Sequence, residues 1–215
     1  MKKSNEYVVL EYTECDSSYI NELVDHINLS SKEIVDFFDG ISFQEKANIK
    51  LFDNLDAFRN SCMKIWGKKE APAWLCGLTF KMNNYYNIYT LNLEEYKKTE
   101  GHNKHTLTDL KQLIIHEFVH VCHRKYTNDA KLMVWLSEGL ATTLSHQYDG
   151  CKDSFDATLE QMISGGTKYK NYYMMFSYVL TTYGRNYILK LLENKEYLSN
   201  ETPRLYEEVI NYYSK

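Results

Sequence analysis

Leu110-Lys111-Gln112-Leu113-Ile114-Ile115-His116-Glu117-Phe118-Val119-His120-Val121-Cys122-His123 is the stretch on which the reading of this chain turns. It holds H-E-x-x-H at 116–120, inside a run whose apolar spacing reads as helix. On an α-helix, residues four apart lie about 40° apart around the axis and about 6 Å along it. His116 and His120 therefore reach a single metal ion from one face. Glu117 stands next to the first of them, and its carboxylate can lean towards a water on that ion. Two imidazoles that hold zinc and a carboxylate that takes a proton from water are the groups metal-assisted hydrolysis requires.

Two histidines are too few, because a catalytic zinc site has three protein ligands and an open position. His123, Asp129 and Glu138 stand downstream. His123 shares the face of His116 but lies one turn beyond His120, too far along a straight helix for three imidazoles to meet one ion, so it is expected in a supporting or solvent-facing role. Asp129 sits in a polar segment with no supporting pattern. Glu138 lies in Trp135-Leu136-Ser137-Glu138-Gly139-Leu140-Ala141, an otherwise apolar segment where a bare carboxylate is costly unless it is paired or metal-bound. Gly139 and Ala141 would let this helix approach the first one closely. The residues between His120 and Glu138 leave room for one tight loop and a returning helix.

His-Glu-Phe-Val-His followed by Trp-Leu-Ser-Glu-Gly-Leu-Ala resembles the gluzincin branch of the zinc metallopeptidases, the thermolysin-like and aminopeptidase-like clan. The resemblance implies one zinc ion held by His116, His120 and Glu138, with Glu117 as general base. It implies hydrolysis of peptide bonds in a peptide or protein substrate; the alternative is a zincin-like module that binds or regulates without turnover. It further implies an α+β, zincin-like fold: an N-terminal lobe with a small mixed β-sheet and helices, a C-terminal helical lobe, and the active site between them. As a single domain, the chain would divide into an α/β lobe at 1–105 and a helical lobe at 106–215. In small members of the clan, a strand–helix–strand unit and an edge strand precede the H-E-x-x-H helix, and residues 47–93 fit that order. Ile88, Tyr89 and Thr90 would then lie on the edge strand that pairs with substrate. Such proteins often use a tyrosine or histidine to steady the oxyanion. Tyr169, Tyr172 and Tyr173, at the start of a segment closing with Tyr183-Gly184, are the candidates. No motif that selects exopeptidase over endopeptidase action is visible.

Around these motifs the chain alternates. Residues 6–13 are rich in strand formers, and Asp16-Ser17-Ser18 opens a helix carrying Tyr19, Ile20, Leu23, Val24 and Ile27. A second short helix is expected from Ser30-Ser31 to Gly40. A strand at 47–52 leads to a helix capped by Asp53-Asn54 and stopped by Gly67. Two β-rich runs, 75–81 and 85–93, flank Met82-Asn83-Asn84, a hairpin turn. Residues 94–105 read as loop, and Thr106-x-x-Asp109 resembles a capping box. Later segments are helical: 132–144, 155–163, Tyr172 to Leu180, and Arg185 to Leu192. Thr202-Pro203 reads as the N-cap and first residue of a last helix.

Composition narrows the partners. The chain has 215 residues with 44% apolar and 25% charged, enough to build a core without a membrane-spanning run. The net charge of -4 argues against a nucleic-acid partner. Met1 to Tyr7 has two lysines but no apolar leader region, so a cytoplasmic location is expected. The cysteines, Cys15, Cys62, Cys76, Cys122 and Cys151, are odd in number and scattered, which fits free thiols in a reducing compartment.

Overall fold

Val8, Leu10, Ala47, Ile49 and Leu51 alternate with half-buried neighbours, the period-2 pattern that makes a strand bury one face fully. They belong to a five-stranded mixed sheet. Its strands are β1 (Lys2–Ser4), β2 (Val8–Glu11), β3 (Ala47–Phe52), β4 (Gly77–Met82) and β5 (Tyr85–Leu91), in the order β1-β2-β3-β5-β4. The computed structural model describes residues 1–151 and 153–214. β2, β3 and β5 run parallel, whereas β1 and β4 are antiparallel to their neighbours. The parallel pairs need helical crossovers. These are α1 (Ile20–Phe37), between β2 and β3, and α2 (Leu55–Trp66), after β3.

The hairpin joining β4 and β5 turns at Asn83 and Asn84, with φ of 51° and 67°, and pairs Met82 with Tyr85. Two successive left-handed residues make the turn whose twist suits a two-residue hairpin, and asparagine tolerates that conformation. The sheet order corrects the expectation for Ile88, Tyr89 and Thr90. They lie on β5, which pairs with β3 on one side and β4 on the other, so this strand is interior. β4 ends the order. Which arm of a hairpin docks on an earlier strand is set by long-range pairing and cannot be seen in the local pattern of either arm.

α1 is one continuous helix where two were expected. Ile20, Leu23, Ile27, Ser31 and Ile34 are buried at helical spacing across the Ser30-Ser31 pair, so the apolar stripe outweighs the serines' preference for a cap. α2 begins as read from the sequence: Asn54 Oδ1 accepts from the Ala57 amide at 2.8 Å, and Gly67 ends the helix at φ 65°. A short α3 (Leu93–Tyr96), capped by Asn92, falls in the expected 94–105 loop. α4 (Leu107–Tyr126) carries the H-E-x-x-H motif. The Thr106 amide donates to Asp109 Oδ2 at 2.7 Å, which is one half of the expected capping box, and the Thr106 hydroxyl donates to the same oxygen at 2.7 Å. Residues 113–123 are all buried, so the middle of this helix has no exposed face, whereas Thr108 near its start is exposed.

The chain forms two compact units. One holds Met1–Asp36 and Ser42–Val121; the other holds Phe37–Ile41 and Cys122–Lys215. The part of α4 up to Val121 belongs to the unit that contains the sheet, and the part from Cys122 onward to the other. The second unit contains α5 (Val134–Leu144), α6 (Leu159–Ser164), α7 (Tyr169–Tyr183), α8 (Arg185–Glu193) and α9 (Lys195–Tyr213). α5 and α7 meet at Gly139. A Cβ there would sit 2.5 Å from Phe176 Cβ and 2.6 Å from the Tyr172 carbonyl oxygen. Trp135, fully buried on α5, donates from Nε1 to Thr202 Oγ1 at 3.2 Å.

Thr202 also corrects an expectation. It does not start a helix: α9 begins at Lys195, capped by Asn194, and runs through Pro203. Proline removes one rung of the helical ladder. Thr202 is fully buried, however, and its hydroxyl donates to the Leu198 carbonyl at 2.7 Å while accepting from Trp135, which fixes this segment as helix interior.

Candidate metal centre

His116 and His120 lie one turn apart on α4 and are nearly buried, 6% and 7% exposed. Their Nε2 atoms face each other at 3.1 Å, with ring planes at 82°. Two imidazole nitrogens on a tetrahedral zinc ion, each at about 2.05 Å, stand roughly 3.3 Å apart. The pair is therefore spaced for ligation. One ligand atom from each of His116, His120 and Glu138 lies within 4.8 Å of the other two. Two neutral nitrogens and one carboxylate oxygen suit a borderline divalent cation and leave a tetrahedral ion one open position. These three residues could hold a metal ion, and among the described residues they are the only such group of three His, Cys, Asp or Glu.

The other two ligand candidates are elsewhere. His123 is buried, and its Nε2 is 3.3 Å from Ser137 Oγ, so it is not solvent-facing. Asp129 takes a left-handed φ of 61° just past α4, where its amide donates to the Arg124 carbonyl.

Glu117 is 8% exposed and is held by β4. Thr79 Oγ1 lies 2.7 Å from Glu117 Oε2 and 2.9 Å from the Glu117 carbonyl oxygen. The other carboxylate oxygen, Oε1, sits 2.5 Å from where a Cβ on Gly77 would be. Sequence reasoning missed both residues. A glycine inside a β-rich run, as in Leu75-Cys76-Gly77-Leu78-Thr79, is the available signal, since strand glycines often mark close approach of another group. The carboxylate also acts on its neighbours. Burial, followed by the charge of Glu117, pushes the thiols of Cys62 and Cys76 up to about 12.

The three candidate tyrosines occupy the first turns of α7 in different settings. Tyr169 is 39% exposed, with its ring edge-on to Tyr172. Tyr172 is buried, and its hydroxyl is 3.5 Å from the Thr167 amide. Burial raises its pKa, and the charge of Glu138 adds to the rise against the opposing amide contact. Tyr173 is half-buried against Tyr148, and its phenol is raised first by burial, with Asp149 and Cys151 contributing.

No family model, no curated protein and no solved structure matches this chain. No helix among the described residues is long and apolar enough to cross a membrane.

Proposed function

We propose that this chain is a zinc-dependent metallopeptidase of gluzincin type. The observation that carries this reading is the convergence of His116, His120 and Glu138 on a common position, with the Glu117 carboxylate adjacent in sequence to a ligand and fixed from outside its own helix. His116 and His120 would hold the ion through Nε2, and Glu138 through a carboxylate oxygen. The bound ion supplies a Lewis acid that acidifies water and polarises a carbonyl. Glu117 accepts the proton from the attacking water and delivers it to the leaving amine, as a carboxylate can when it is within hydrogen-bond reach of both. Tyr169, Tyr172 and Tyr173 stay the candidates for the hydroxyl that donates to a developing oxyanion. An extended peptide would add at an end of the sheet; of the two end strands, β1 and β4, the one that contacts Glu117 is β4, and it is the candidate.

The test combines metal analysis and turnover. Purified chain should carry one zinc per molecule and cleave an internally quenched peptide library. Glu117→Gln should keep the zinc and lose at least 100-fold in kcat, whereas His116→Ala and Glu138→Ala should lose the zinc. A chain that binds no stoichiometric zinc, or a Glu138→Ala variant with undiminished affinity, refutes the site. Zinc binding with no cleavage at all favours the reading as a silent binding module.

A further inference from the structure

We infer that Thr79, with Gly77, is the positioning residue for the Glu117 carboxylate; this rests on the reading of Glu117 as the general base. A glutamate beside a metal ligand is not aimed by its helix alone, because its side chain has three rotatable bonds and two equivalent oxygens. Here one oxygen accepts from Thr79 and the other lies over Gly77, and both neighbours belong to β4.

The Thr79 hydroxyl lies between two acceptors of one residue, 2.7 Å from Oε2 and 2.9 Å from the main-chain oxygen of Glu117. It thereby ties the carboxylate back to its own backbone. A hydrogen bond to an ionised carboxylate is about twice as strong as a neutral one, and this one is formed where Thr79 and Glu117 are 6% and 8% exposed. The second oxygen packs over Gly77, at 2.5 Å from the position any Cβ would take. Gly77 and Thr79 are two apart on a strand, so they present to the same face. The strand itself is pinned at its start: Thr90 Oγ1 donates to the Cys76 carbonyl at 2.9 Å, and Gly77 and Thr79 pair with Thr90 and Ile88 of β5. The sheet thus serves as the mould for the base. Thr79 supplies the donor and Gly77 the space, and the remaining lone pairs of the carboxylate are left for water.

The experiment uses the full chain loaded with one equivalent of zinc, an internally quenched peptide library as probe, and the variants Thr79→Val, Thr79→Ser, Glu117→Gln and the double variant Thr79→Val with Glu117→Gln. A displaced catalytic group costs up to about 100-fold for 1 Å of misplacement. Thr79→Val is therefore expected to lower kcat by roughly 10- to 100-fold with KM within about twofold and zinc content unchanged. Thr79→Ser restores the hydroxyl and should recover most of kcat. In a Glu117→Gln background, Thr79→Val should cost nothing further, because residues that act as a unit are non-additive. If Thr79→Val loses as much in that background as in the wild type, or if Thr79→Ser is no better than Thr79→Val, the inference is overturned.

A second readout does not need turnover. Thermal melting of the wild type, Thr79→Val, Glu117→Gln and the double variant should show that Thr79→Val lowers Tm by a few degrees when Glu117 is present and by less when it is Gln. Equal Tm losses overturn the claim that Thr79 holds the carboxylate. A wild-type chain that cleaves nothing while showing this coupling overturns the peptidase reading instead and leaves the hold on the carboxylate standing.

Discussion

Replacing Gly139 with alanine tests how closely α5 must approach α7. The added methyl carbon would lie 2.5 Å from Phe176 Cβ and 2.6 Å from the Tyr172 carbonyl oxygen. Carbon atoms settle at about 3.5–4.0 Å, so the contact is short by about 1 Å. One of the two obstructing atoms is main-chain and the other is a Cβ, so no side-chain rotation relieves the clash; the helices must part or slide. Overpacking a well-filled core costs about 1–3 kcal/mol, and the backbone obstruction places this change near 2–3. For a chain of this size, each kcal/mol shifts Tm by about 2–4 °C, which gives a fall of roughly 4–12 °C. Circular dichroism melting of the purified variant reads the shift directly. Because Glu138 is the neighbouring residue on α5, zinc affinity measured by chelator competition should weaken in the same variant. A Tm within 1 °C of wild type would refute the argument that this crossing has no room for a methyl group.

Three further expectations follow from other parts of the molecule. Burial, followed by the nearby His105, lowers the pKa of the His102 imidazole, so the unfolded chain binds a proton there more readily than the folded one. Stability then falls as pH drops below about 6.5; urea midpoints between pH 7 and pH 5 should decline less steeply in His102→Gln, and identical slopes would count against it. Burial holds the thiols of Cys62 and Cys122 protonated, whereas Cys15 is exposed. Iodoacetamide at pH 8 followed by peptide mass mapping should therefore label Cys15 first, with Cys62 and Cys122 protected until denaturant is added. If peptides add along β4, lengthening a cleaved peptide from two to six residues should raise kcat and not merely lower KM, since remote binding is then used at the reacting bond; a kcat independent of length would remove β4 from substrate binding.

The parts of this molecule legible in the sequence are those written locally. The helix at 107–126, the capping residues Asn54 and Thr106, the Asn83-Asn84 turn and the pairing of His116 with His120 follow from spacing or from residues with one strong conformational preference, whereas Glu138 joins the two histidines through the resemblance. What was misread depends on partners far along the chain. β5 is interior because β3 pairs with it in preference to β4, and neither arm of the hairpin carries a mark of that choice. Ser30-Ser31 and Thr202-Pro203 are strong helix-start signals overridden by burial, one by the stripe through Ser31 and the other by the bond from Trp135. Thr79 escaped notice because a threonine in a strand is unremarkable until the group opposite it is known.

The grip of β4 on Glu117 also bears on how relatives of this chain could be found. Overall similarity averages over every position, most of which here only fill a core that many sequences fill equally well. Gly77 and Thr79 are different, since one must lack a side chain and the other must carry a short hydroxyl. A search that asks only for Gly-x-Thr on the outer arm of a hairpin, then His-Glu-x-x-His on the following long helix, then Glu-Gly on the helix after that, would weigh the few positions that geometry constrains.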